Sequence, residues 1–125
     1  MNTPVAELEG NALIWAVCSA LGQPPVISGS RVFYRSESGS WVEPLYIEDV
    51  AAVKLMTDDW IGVDRPSNGQ TPPVWTAITN SKKPADSREL TTGVVIAHAE
   101  TLGTAVCRAL VLSRHGTEID IPEQF

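Results

Sequence analysis

From Leu8 to Gly22 the chain reads Leu-Glu-Gly-Asn-Ala-Leu-Ile-Trp-Ala-Val-Cys-Ser-Ala-Leu-Gly, and this stretch constrains the fold more than any other. Leu13, Ile14, Val17, Ala20 and Leu21 recur at helical spacing and form a broad apolar stripe, while Glu7, Asn11 and Ser19 fall away from it. Thr3 is the expected N-cap, with Pro4 at the first helical position, where its missing N–H is not needed. Gly22 suits the left-handed position after a helix, and Pro24-Pro25 forbid continuation. The interior Gly10 is discordant, at about 1 kcal/mol relative to Ala, and suggests a close backbone approach. A one-sided helix needs a partner. The best match is Leu102 to His115, with Leu102, Val106, Ala109 and Leu110 as its stripe, Thr101 or Thr104 as cap and Gly116 as stop. Arg114 and His115 then complement the negative end of that helix.

Between these two segments the pattern changes. Val26-Ile27, Arg31 to Arg35 and Trp41-Val42 have strand composition, separated by Ser/Gly turns, and read as a hairpin or meander. Leu45 to Met56 has Ile47, Ala51 and Leu55 four apart and reads as a helix ended by Asp58-Asp59. Trp60 to Val63 suits an edge strand, Asp64 to Pro73 a loop, and Val74 to Thr79 a strand. Asn80 to Ser87 reads as a further loop, carrying the basic pair Lys82-Lys83. Val94-Val95-Ile96 fits either a buried strand or the lead into the last helix. Thr117 to Ile121 alternates like a half-buried strand, stopped by Pro122. The expected fold is α+β, with two to three helices packed on a small, mostly antiparallel sheet, in a single domain spanning residues 1–125.

Charge and apolar runs bound the function. With 125 residues a core can form without disulfides or metal. A net charge of −6 with scattered Lys and Arg argues against nucleic acid as partner and against an anionic membrane surface. No apolar run approaches the ~20 residues of a membrane span, and the N-terminus lacks the pattern of a secretory signal. Cys18 and Cys107 then read as reduced thiols in a cytosolic protein.

The two helical segments also carry a resemblance. Leu-x-Gly-x-x-Leu-x-Trp-Ala-Val-x-x-Ala-Leu-Gly, from Leu8, resembles the opening of the lambdoid phage NinX-like family of small proteins. Cys107-Arg108-Ala109-Leu110-Val111, followed by Gly116, Ile119 and Ile121-Pro122, is similar to that family's close. The middle departs: Tyr34-Arg35-Ser36 and Thr57-Asp58-Asp59-Trp60 only partly match the family's central segment. The resemblance implies a phage or prophage product in the cytoplasm of a bacterial host, and implies no activity, because the family's function is unknown.

Few residues invite chemistry. His98 and His115 lack any partner at metal-ligand or triad spacing, so no catalytic residue, metal site or cofactor is expected. Asp58, Asp59 and Asp64 do not have the alternating spacing of a calcium loop. Cys107 precedes Arg108, which would lower its pKa, yet buried inert thiols are the simpler reading. Helical spacing puts Arg108 on one face with Thr101, Thr104, Val111 and His115. Either that face holds an anion, or Arg108 is paired internally with Glu48, Asp49, Asp58 or Asp59, which desolvation favours. Four tryptophans in such a chain suggest interface anchors. Trp15, Trp41 and Trp60 are the candidates, unless the middle of the chain folds over Trp15 as a second small core. The favoured function is therefore a non-catalytic accessory protein that binds a host or phage protein through a Trp-containing surface with an acidic rim, and a homo-oligomer is compatible with it. The rival is a small-molecule or anion pocket, of a binding protein or an enzyme, formed by Arg108, Thr104, Trp15 and an acid from the middle segment.

Overall fold

The computed structural model describes residues 2–80, 94–123 and 125. Its element order is β1 (Asn2–Pro4), a 3-10 turn (Val5–Glu7), α1 (Gly10–Ala20), β2 (Val26–Ser28), β3 (Arg31–Arg35), β4 (Trp41–Val42), α2 (Asp49–Asp59), β5 (Gly62–Asp64), β6 (Trp75–Asn80), β7 (Val94–Ala99), α3 (Leu102–His115) and β8 (Glu118–Asp120). The class is α+β as expected. In place of one sheet there are three small antiparallel ones, in the orders β1-β8, β2-β3-β4 and β5-β6-β7. Of the loop read over Asn80 to Ser87, Asn80 instead ends β6, and the rest, with the basic pair Lys82-Lys83, lies outside the described residues.

The expected clasp of the first and last helices is present. α3 packs against both α1 and α2 and covers β6 and β7. Leu13, Ala16 and Val17 of α1 meet Val106, Ala109 and Leu110 of α3 in the main core, all fully buried. A smaller cluster of Ile14, Cys18 and Val32 forms where the meander lies over the other flank of α1. Trp15 is half-buried between the two clusters, so the middle of the chain does fold over it.

Four local readings are corrected. Thr3 and Pro4 do not start a helix. They pair as β1 with β8, Thr3 opposite Ile119, and α1 begins only after Glu9. Gly10 stands at that start with φ +58° and open space around its Cβ position, so backbone conformation, not close approach, selects glycine there. The second helix begins at Asp49, not Leu45, because residues 45–48 cross over α3 first. Val94 and Ile96 belong to a strand, but they face outward and are exposed, while Ala97 and Ala99 supply its buried side.

The helix ends follow the expected chemistry. The N–H groups of Gly22 and Gln23 close α1 onto the carbonyls of Ser19 and Cys18, with Gly22 at φ +73°. Thr101 caps α3 by accepting from the Thr104 N–H. Arg114 does more than complement a helix dipole. Its guanidinium donates to both oxygens of buried Asp59, the shortest contact being 2.9 Å, and to the Ala20 carbonyl at 3.3 Å. One side chain thus ties the C-terminal ends of all three helices.

Candidate functional site

α2 presents an unusual outer face. Val50 and Val53 are 87% and 55% exposed on it, and Trp60 follows at 85%. Val50, Val53 and Thr57 are spaced to share one stripe, with Glu48 and Asp49 exposed at its N-terminal end. Trp60 stands at the helix C-terminus with φ +56°, the one non-glycine residue at positive φ among the described residues. Helices commonly place glycine in this left-handed position. For a side chain with a Cβ it costs roughly 1–2 kcal/mol.

The surroundings explain why the turn exists. Ile61, just beyond it, is buried and returns its N–H to the Met56 carbonyl at 3.0 Å. Asp59, just before it, is held by Arg114. The buried Thr79 hydroxyl donates across to the Trp60 and Asp59 carbonyls at 3.3 and 3.4 Å. These contacts dictate the backbone turn. They do not call for an indole on its outside.

Trp41 has a different setting. It lies on the outer face of the β2-β3-β4 sheet with Val26, Ser28 and Phe33, and Arg35 sits 6.0 Å above its ring. Trp41 and Trp60 are therefore carried by different elements, and Trp15 is half-buried, packed against both clusters.

The Arg108 face is also formed. Arg108 has no carboxylate within ion-pair distance among the described residues, contrary to the expected internal salt bridge. It instead donates through Nε to the Leu8 carbonyl and through Nη1 to the His98 carbonyl, both at 2.8 Å. Neutral carbonyls satisfy its geometry without cancelling its charge. Burial lowers its pKa and the neighbouring Glu9 raises it. Arg108, Thr104 and Thr101 line a cleft of about 480 Å³ together with Glu9, Glu100 and His98. Trp15 is not in that cleft.

His98 is exposed on β7, its Nδ1 3.1 Å from the Thr76 hydroxyl. His115 is half-buried at the end of α3. Burial pushes the Cys18 and Cys107 thiols up to about 12, so Arg108 does not activate Cys107. The two thiols sit in different hydrophobic clusters, and Cys107 donates to the Tyr46 carbonyl. Asp58 pairs with Lys54 and Asp59 with Arg114, and no cluster of three or more potential metal ligands occurs among the described residues. No described helix is long and apolar enough to cross a membrane.

These features define an α+β protein with an exposed, tryptophan-ended helix on one side and a charged cleft on another. Compared with known proteins, the chain matches no family model and no curated sequence.

Proposed function

We propose that the protein is a non-catalytic accessory protein that binds another protein through the outer face of α2. The observation that carries this reading is Trp60: a large apolar side chain, almost fully exposed, kept in a backbone conformation that favours glycine. Aromatic anchors dominate binding energy at interfaces, and Val50 and Val53 are further exposed apolar side chains on the same helix. Glu48 and Asp49 beside it, and the net charge of −6, favour a partner with a basic rim around an apolar groove. A phage or prophage setting in a bacterial cell is supported by the likeness of the terminal segments.

The test is affinity capture from bacterial lysate with wild-type, Trp60→Ala and Val50→Glu proteins. Each captured candidate is then purified and titrated against all three. One protein should bind the wild type and lose at least about tenfold in affinity with each variant, at unchanged melting temperature. Equal affinity for wild type and Trp60→Ala would reject the α2 face. Concentration-dependent dimerisation abolished by the same variants would instead make a second copy the occupant.

A further inference from the structure

We propose that the cleft at the N-terminal end of α3 binds a small zwitterion of the α-amino acid type, carboxylate toward Arg108 and Thr104, ammonium toward Glu9 and Glu100. This goes beyond the α2 surface and is independent of it. The cleft volume, about 480 Å³, falls in the range of small-molecule sites. It lies at the Trp75 and Ala99 end of the β6-β7 pair, the opposite end from Asn80 and Val94, about 17 Å away by strand rise.

Donor inventory selects the anionic end. Arg108 spends Nε and Nη1 on the Leu8 and His98 carbonyls, which fixes the guanidinium plane and leaves Nη2 without a partner among the described residues. Thr104 accepts from the Thr101 hydroxyl at 2.9 Å, and its own proton has no described acceptor. A rigid guanidinium edge beside a free hydroxyl suits a carboxylate. Charge then excludes a simple anion. Glu9 and Glu100 line the same cleft, and neither is ion-paired among the described residues. A lone anion would be repelled by two carboxylates, and a lone cation by Arg108. A molecule with both charges a few bonds apart meets both sets. Val74, Pro72 and Ala99 supply an apolar wall for an aliphatic side chain.

The test is amide chemical-shift mapping of the full chain with free α-amino acids as probes, each up to about 10 mM so that millimolar binding is seen. At least one aliphatic amino acid should shift residues 98–108 saturably. Its N-acetylated and decarboxylated forms should bind about tenfold to a hundredfold more weakly, as should Thr104→Val and the Glu9→Gln, Glu100→Gln double variant. Trp60→Ala should bind as wild type, because α2 does not line the cleft. Arg108 itself is left intact, since its carbonyl bonds join α3 to the chain before α1. Absence of shifts from every amino acid overturns the proposal. So do shifts that map elsewhere, insensitivity to the cleft variants, or equal binding of acetate or a simple alkylamine.

Discussion

Replacing Gly103 with Ala should destabilise the protein sharply, although Ala is the better helix former. Gly103 lies in the first turn of α3, directly beneath the backbone of Ile47. A Cβ there would stand 1.8 Å from the Ile47 carbonyl oxygen, 2.4 Å from its carbonyl carbon and 3.1 Å from its Cα. To relieve this, residues 45–48 must retreat from α3 by roughly 1 Å or more. They are poorly placed to do so. The Tyr46 carbonyl accepts from Cys107 at 3.1 Å, its hydroxyl donates to Gln23 at 2.6 Å, and Ala52 and Leu55 anchor the following helix in the core. Overpacking costs about 1–3 kcal/mol against side chains and about 3–4 kcal/mol against backbone as here, and the helix preference of Ala returns about 1 kcal/mol. The expected net loss is about 2–3 kcal/mol, a fall in melting temperature of roughly 10 °C for a domain of this size. Urea unfolding followed by circular dichroism measures it. Gly22→Ala is the control: its Cβ position is open and φ is +73°, so its cost is conformational only, about 1 kcal/mol. A Gly103→Ala protein as stable as the wild type, or more stable than Gly22→Ala, would refute the steric argument.

Asp59→Asn should cost about 2–3 kcal/mol in urea unfolding, below the usual figure for a broken buried pair because Arg114 is one-third exposed. Trp60→Gly should raise stability by about 1 kcal/mol in the same assay while abolishing partner capture, because the left-handed turn is retained without its Cβ. Both thiols should resist alkylation in the folded protein at pH 8, while urea-unfolded chain reacts. Alkaline pH should destabilise the fold: burial raises each thiol from its ordinary 9.0 to about 12, so its contribution is complete below pH 9 and is lost as pH rises to about 12, by up to 1.4 kcal/mol per pH unit per thiol. Urea midpoints at pH 8 and 10.5 check the sign, and a Cys18→Ala, Cys107→Ala double variant should flatten the slope.

Sequence patterning revealed what depends on periodicity. The stripes of α1 and α3, the stop at Gly22, the Thr101 cap and the meander of β2 to β4 were all legible, because each is a local signal. What depended on tertiary contact was not. Thr3-Pro4 looks like a helix start, and only pairing with β8, at the far end of the chain, makes it a strand. Arg108 carried a correct signal, a charge interrupting an apolar helix, yet nothing local shows that its partners are the Leu8 and His98 carbonyls. Arg114 went unnoticed as the tie between helices, since a basic residue in the last turn already has a sufficient local reason.

Trp60 separates two kinds of constraint at one position. Asp59, Ile61 and Thr79 fix the backbone from within: a part-buried ion pair, a buried aliphatic side chain and a buried hydroxyl converge on one residue and leave it the left-handed conformation. That set of contacts would be served as well, and with less strain, by glycine. The indole makes up little of the interior, being 85% exposed. Its presence therefore has no account inside the fold, and neither does the exposure of Val50 at the other end of α2. Gly103 is the mirror case, where the packing of Ile47 permits no side chain at all. In one position the interior determines the residue; in the other it determines only the backbone, and the choice of side chain points outward to whatever α2 meets.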